Sequence, residues 1–435
     1  MTERPYRRLS PLTPVVRSFI VLVAAAWTIM RDITRGDIGP TALLFGLVLA
    51  GGAVYGVASW LRTKFWIEAD ELRVDTGVIS RQSRRIRIDR LQGIDIVQPF
   101  VARIFGLAEL RMDVAGGSSR EGSLAFLPLG EARELKDLLL ARRDAVRAGT
   151  SEEEPVAAAP APVEPERVLA RVDLTTLALS ILLSVETLLI LVTASGLLVT
   201  FAVTGRWLGA SAMLPVLAGF GIVLVRRLTG NYRFTVSQTP SGLQVGRGLF
   251  DLNVQTIALA RVQGVVVSEP LLWRTFGWAR LDVSIAGYGS SAEDQGPAPS
   301  TVLPVGDRRL VLQLAQHVLG GPSPEALSLS PPPRRARWAA PVGWRFMAAG
   351  ATENLVVSRE GWLVRRTHAA PQARVQSLRL SQGPWQRRLG LADVHADSPP
   401  GPTLVRARHR PAEEARRVFE TEVAVTRQAR RSSRT

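Results

Sequence analysis

The feature that most constrains this chain is a segment that it writes three times. Residues 90–106 read RLQGIDIVQPFVARIFG, residues 261–277 read RVQGVVVSEPLLWRTFG, and residues 374–390 read RVQSLRLSQGPWQRRLG. The register holds without a gap. An offset of 171 (90 to 261) carries Gly77, Arg90, Gln92, Arg103, Phe105 and Gly106 onto Gly248, Arg261, Gln263, Arg274, Phe276 and Gly277. An offset of 284 (90 to 374) carries Gly77, Arg90, Gln92, Gln98, Arg103 and Gly106 onto Gly361, Arg374, Gln376, Gln382, Arg387 and Gly390. Matches this regular are internal duplication, and their wide spacing predicts three small domains rather than a solenoid. A chain of 435 residues has room for about three domains.

Four apolar runs accompany the repeats, in two pairs. Residues 14–30 and 41–61 form the first pair; residues 174–204, interrupted only by Glu186, and 207–225 form the second. About 20 apolar residues in a helix cross a bilayer. The joining loops are short, so each pair predicts a helical hairpin. Arg167 and Arg171 precede the second pair and Arg226 and Arg227 follow it, whereas its loop has only Arg206. The positive-inside rule then puts both termini and all three repeats in the cytoplasm, on a multi-pass protein of the cell inner membrane. Four such runs are hard to bury in a water-soluble fold with repeats this small. The N-terminus is not read as a cleavable signal, because a second apolar run follows at once.

Within each repeat the pattern is strands and then one helix. Residues 65–79 give two alternating runs around Gly77, which would supply a positive φ, and Arg85 to Val97 alternates again. Residues 101–105 suggest a short helical turn capped by Gly106. An amphipathic helix with Leu135, Leu138, Leu139 and Ala141 on one face closes the first copy. The expected plan is α+β: residues 1–62 tail and first hairpin, 63–147 first domain, and 148–168 a disordered acidic, Ala/Pro-rich linker. Residues 169–228 are the second hairpin, 229–320 the second domain, 321–340 a linker, 341–425 the third domain and 426–435 a basic tail.

Paired spans alternating with strand-rich repeats resemble the bacterial pleckstrin-homology-like (PH-like) membrane proteins of the YdbT type. The residues that carry the resemblance are the Gly77-type turn, Arg90-x-Gln92, Gln98-Pro99, Arg103-x-Phe105-Gly106 and the closing helix. Arg374-Val375-Gln376-Ser377 and the run Gln386 to Leu391 look typical of the last domain. The third copy departs from the pattern, with Leu389 in place of Phe105 and Phe276, and no hairpin precedes it. The resemblance implies, for each domain, a bent antiparallel sheet closed by a C-terminal helix. It implies no established enzymatic activity or ligand.

The formal net charge is +16, carried almost wholly by arginine; Lys64 and Lys136 are the only lysines. From Arg334 onward 20 arginines stand against 8 acidic residues. Beside membrane spans, such charge favours anionic lipid. No basic motif interleaved with aromatics and no recognition helix points to nucleic acid. The absence of cysteine excludes disulfides and thiolate chemistry. The four histidines lack metal-ligand spacing, and no phosphate loop or nucleophile elbow is present, so neither an enzyme nor a cofactor is expected.

Candidate sites follow. Arg365, Arg366, Arg374, Gln376, Arg387, Arg388, Arg406 and Arg408 form a candidate lipid- or partner-binding surface. The repeated Arg90, Gln92, Arg103, Gly106, Arg261, Gln263, Arg274, Gly277 and Gly390 are read first as a structural brace, since all three copies keep them. Glu186, at membrane depth, is either a functional ionisable group or a residue near one face of the bilayer. The expected function is a non-enzymatic membrane scaffold in cell-envelope maintenance. Its partners would be the bilayer and a membrane protein, a smaller single-PH-domain protein being one candidate. The alternative is a component of a transport or channel complex with Glu186 in the path. The oligomeric state is not legible.

Overall fold

A computed structural model describes residues 40–77 (except Ala69), 81–114, 123–147, 167–205, 213–239, 242–286, 301–399 and 401–432, with eight isolated residues before 40. It divides into two compact units. The first holds the chain up to Val163 together with Phe250–Thr256; the second holds Glu164–Leu249 and Ile257–Thr435.

In the first unit, β1 (Arg7–Arg8), β2 (Lys64–Glu68), β3 (Glu71–Thr76) and β4 (Gln82–Arg87) form one antiparallel sheet in chain order. α1 (Pro40–Arg62) leads into it. A 3-10 turn at Ile88–Arg90 then leads to β5 (Leu91–Gln98), α2 (Phe100–Ile104), β6 (Leu107–Val114) and β7 (Ser123–Pro128), and β5, β6 and β7 belong to a second sheet. α3 (Leu129–Arg147) closes the copy. Its Ala132, Leu135 and Leu139, spaced three and four apart, bury against Leu72, Ile88, Leu91 and Leu110. Leu138, expected on that face, is half-exposed.

One expectation changes here. Residues 65–79 hold two strands, but both lie before Gly77: a turn that includes Asp70 separates β2 from β3, and the next strand, β4, begins at Gln82. Gly77, at φ 110°, lies between β3 and β4, as Gly248 and Gly361 do at 115° and 94° in their copies. The alternating run Arg85 to Val97 falls in two strands. The 3-10 turn cuts it into β4 and β5, which lie in different sheets.

The free side of β5 is occupied by the second repeat. Residues of β11 (Leu252–Ile257) pair with it antiparallel: Leu252 with Gln98, Asn253 with Val97 and Val254 with Ile96. The Thr256 N–H donates to Asp95 Oδ1, the Phe100 N–H donates to Asp251 Oδ1, and Lys136 Nζ donates to Thr256 Oγ1. Phe100 and Phe250 meet edge to face at 5.6 Å.

The second unit opens with β8 (Arg167–Arg171), which pairs with β9 (Thr235–Thr239), itself paired with β10 (Gly242–Arg247). Arg167 and Val168 were expected in the linker; residues 148–166 lie outside the described residues. Next come α4 (Leu174–Leu182), α5 (Val185–Thr204) and α6 (Met213–Gly230). β12 (Val262–Pro270), α7 (Leu271–Thr275), β13 (Trp278–Ile285), β14 (Thr301–Asp307) and α8 (Arg308–Leu319) complete the second copy. The third runs through β15 (Ala348–Ala351), β16 (Leu355–Glu360), β17 (Val364–Pro371), β18 (Ser377–Ser381), α9 (Pro384–Arg388), β19 (Leu391–Asp397), β20 (Val405–Pro411) and α10 (Ala412–Ser432). α10 extends through most of what was expected to be a tail.

One sheet of this unit joins two copies, in the order β14-β13-β12-β17-β16-β15. β12 belongs to the second copy and β17 to the third, and they pair from Val265↔Ala369 to Pro270↔Val364. Val265, Val267, Val357 and Ala369 sit in one buried cluster across that seam. The register repeats that of the first junction. Gln98 faces Leu252 there and Glu269 faces Arg365 here, and the repeat offsets convert one pair into the other.

The apolar run 174–204 is two helices, which corrects its expectation as a single span. Ser184 caps the second, accepting from the Thr187 N–H. The first docks on the domain instead: Leu177 is buried with Trp273 and Val305, and Trp273 Nε1 donates to the Ser180 carbonyl at 3.0 Å. Among the described residues, α5 alone meets the length and hydropathy for crossing a membrane. At 1.5 Å per residue its 20 residues span about 30 Å. α1 takes up the run 41–61 as one helix. Residues 14–26 and 207–212, in the other two expected spans, lie outside the described residues.

Two glycines separate strain from space. A Cβ on Gly361 (φ 94°) would stand 2.1 Å from the Val364 carbonyl oxygen, whereas one on Gly320 (φ 63°) would meet nothing within 4 Å. Gly361→Ala is expected to cost roughly 2–3 kcal/mol and Gly320→Ala about 1 kcal/mol, measured by denaturant unfolding.

Candidate functional site

The repeated motif brackets the first strand of each second sheet. Gly106, Gly277 and Gly390 end α2, α7 and α9 at φ 67°, 68° and 64°, where only glycine is unstrained. The arginines and amides do not behave alike. Arg90 and Arg103 are exposed, as are Gln376, Arg387 and Arg388, and the side chain of Gln92 lies outside the described residues. In the second copy the motif ties backbone. An Arg261 guanidinium N–H donates to the Ala286 carbonyl, and Gln263 Nε2 to the Arg261 carbonyl at 3.2 Å. Arg274 Nε reaches the Glu269 carbonyl at 3.1 Å, and its Nη2 reaches the Trp362 carbonyl of the third copy at 2.8 Å. Arg374 Nη2 returns the link to the Ala260 carbonyl at 2.7 Å. The structure thus brings Arg274 and Arg374 to the seam between two copies.

The repeated glutamine of this motif makes one local bond that its spacing did not reveal. Gln98 Nε2 donates to the Leu107 carbonyl at 3.1 Å, and its equivalent Gln382 donates to the Leu391 carbonyl at 2.8 Å. The second copy has Glu269 there, which cannot donate. Its carboxylate is 5% exposed and accepts from Arg308 Nε at 2.6 Å, with Arg365 Nη1 at 3.7 Å. Arg308 also pairs with Glu325. Burial opposes the charge on Arg308, but its hydrogen bond to Glu269 and the fields of both carboxylates outweigh that and raise its pKa. Burial, then the nearby Arg365, lowers that of Arg274 against the pull of Glu269. The signal in the sequence was the unlike residue at an otherwise repeated glutamine.

The third copy gathers basic side chains. Arg359, Arg406, Arg408 and Arg410 line one concavity with Glu360, beside Pro332 and Met347. It has room for about one water molecule at most, so it is a surface feature and no pocket for a small molecule. Arg410 is buried and structural: it donates to the carbonyls of Ser330, Pro331 and Ala349. Arg408 leans on Glu360 at 3.5 Å. Arg366 is exposed, whereas Arg365 is drawn to Glu269.

His368 is buried beneath this surface. The Leu404 N–H donates to its Nδ1, which puts the neutral ring's proton on Nε2, 3.9 Å from Glu360. Burial lowers its pKa to about 4; Glu360 opposes this, and Arg366 and Arg406 add to it.

Glu186 lies in the first turn of α5, paired with Arg227 near the end of α6 at 2.5 Å. It therefore lies at the start of the apolar helix rather than at its middle.

Three copies of a strand-rich domain with a closing helix, repeating one pairing register, define a chain of PH-like modules. The profile of the bacterial PH domain family matches residues 18–143, 173–321 and 326–422, and the chain belongs to that family. A curated relative is the UPF0699 transmembrane protein YdbT of Bacillus subtilis (strain 168), 22% identical over 284 residues. The alignment covers 59% of this chain and 56% of that protein, so the chain spans little more than half the length of the relative. No solved structure matches the chain.

Two measurements probe these groups. His368 takes up a proton more readily unfolded, at the ordinary pKa near 6.5, than folded, near 4. Its contribution is complete above about pH 6.5, and is lost as pH falls toward 4, by roughly 3 kcal/mol. Denaturant stability should fall over that window, and His368→Gln should flatten the fall. Glu269→Ala should destabilise by about 2 kcal/mol and Glu269→Gln by less, since the amide restores the Gln98 pattern; thermal unfolding of both variants distinguishes them.

Proposed function

We propose that this chain is a non-enzymatic membrane scaffold that holds three PH-like modules at the cytoplasmic face. Two helical hairpins anchor it, with both termini cytoplasmic, and its role is in cell-envelope maintenance. The observation that carries the reading is the seam between copies: Arg365 and Arg374, candidates for ligand contact, join one module to the next together with the motif residue Arg274. The apolar helix α5 and the name of the Bacillus relative support the membrane anchor. The exposed Arg366, Arg387 and Arg388, with the surface around Arg406 and Arg408, supply positive charge for anionic lipid, each residue adding about 1 kcal/mol close to a charged leaflet. Binding partners would be membrane proteins, a smaller single-PH-domain protein among them. The pairing of Glu186 with Arg227 favours this reading over a transport or channel component, since a paired carboxylate at a helix start is placed to anchor rather than to relay.

Reporter fusions after Arg147 and after the C-terminus test the topology. Both should give cytoplasmic signal, and a periplasmic signal from either would overturn it.

A further inference from the structure

β18 is the third copy of a strand that is covered in the other two. β5 carries β11 along its outer edge, and β12 carries β17, in equivalent registers. β18 pairs with β19 on one side and, among the described residues, with no strand on the other. Burial follows the difference. Val267 in β12 is 3% exposed and its equivalent in β18, Leu380, is 36% exposed. No residue of β18 is buried. An open strand edge with unpaired backbone groups is a template for strand addition.

We propose that β18 is a docking edge for an antiparallel strand from a second, different polypeptide, and that this strand carries an acidic side chain opposite Arg379. The proposal deepens the scaffold reading and rests on it. The molecule itself displays what covers this strand: twice, the strand that follows the Gly77-type turn of the next module. Continued to β18, the shared register places Ser381 opposite the position of Asn253, Leu380 opposite that of Val254, and Arg379 opposite that of Gln255. In the first copy the residue at the place of Arg379 is Asp95, and in the second it is Val266. The charge at this point of the seam therefore differs in each copy, which can give each edge its own partner. Arg379 is 62% exposed, beside Asp397 at 3.4 Å.

A second copy of this chain fits poorly. The equivalent strand it would offer is β4, bordered by Arg81 and containing Arg84, Arg85 and Arg87. In the shared register Arg84 would face Arg379, and like charges directly opposite destabilise a sheet. The reach of the incoming strand is also set. A Cβ on Gly264 would stand 2.8 Å from the Ala369 carbonyl oxygen, and β18 has Ser377 at that place, so the added strand ends opposite Leu378.

The test uses the full chain in detergent micelles and fluorescent seven-residue peptides copying residues 252–258, with position 255 as Glu or Lys. Fluorescence anisotropy at low salt should show the Glu peptide binding about fivefold tighter than the Lys peptide. Arg379→Glu should reverse that order, and Leu380→Pro should abolish both. Leu380 stands for Val267, whose N–H faces β17 by alternation from Leu271, the donor to the Leu363 carbonyl. Arg379→Glu, at an exposed site, keeps the test meaningful if the proline variant melts early. Equal binding of the two peptides, no binding of either, or a preference indifferent to Arg379→Glu would overturn the proposal. So would self-association of the full chain that Ser83→Pro in β4 dissolves, because the occupant would then be a second copy. Cytoplasmic reporters together with a failed peptide test would leave the scaffold standing and remove only this edge.

Discussion

The pairing of one module's strand with the next module's sheet is the constraint on which the rest of this structure depends. β17 bonds to β16 of its own copy on one side and to β12 of the preceding copy on the other. Backbone hydrogen bonds cannot be left unmade in a buried seam, since each orphaned group costs about 1–3 kcal/mol. Once β12 is committed to β17, the second and third copies share one sheet and one buried cluster. A third module cut out alone would lose that sheet's other half and expose Val357 and Ala369, buried in the intact chain.

Side chains follow the backbone seam. Glu269 replaces the glutamine of the other copies and so cannot repeat its local bond. It turns instead to Arg308 and to Arg365, its cross-strand partner. Arg274 and Arg374 then reach carbonyls across the same seam in opposite directions. The repeated motif thus ties the second and third copies together, through Arg274 of one and Arg374 of the other.

The threefold repeat, its register and the strand-then-helix order were legible in the sequence, because glycine turns and alternation are local properties. The seam was not. Strand partners far apart in sequence leave no periodic trace, and β4 and β17 read alike although, among the described residues, only β17 is covered on both sides. The break in the run 174–204 was hidden for a related reason. Leu183 and Ser184 are compatible with a continuing helix, and only the docking of Leu177 against Trp273 makes the break worthwhile. The ion centre at Glu269 was visible as a single departure from the repeated glutamine, but its partners Arg308 and Glu325 lie outside the motif.

A disulfide placed across the seam tests the central claim most directly. The chain has no cysteine, so an engineered pair reports without background. Ser268 and Arg366 face each other in β12 and β17, at the roughly 4.5–5.5 Å between Cα atoms that antiparallel partners keep and a disulfide accepts. The variant carrying Ser268→Cys and Arg366→Cys should form an intramolecular bond on mild oxidation, seen as a mobility shift reversed by reductant. The control with Ser268→Cys and Thr367→Cys, whose side chains leave opposite faces, should not. Failure of the first pair to oxidise, or equal oxidation of both, would contradict the shared sheet.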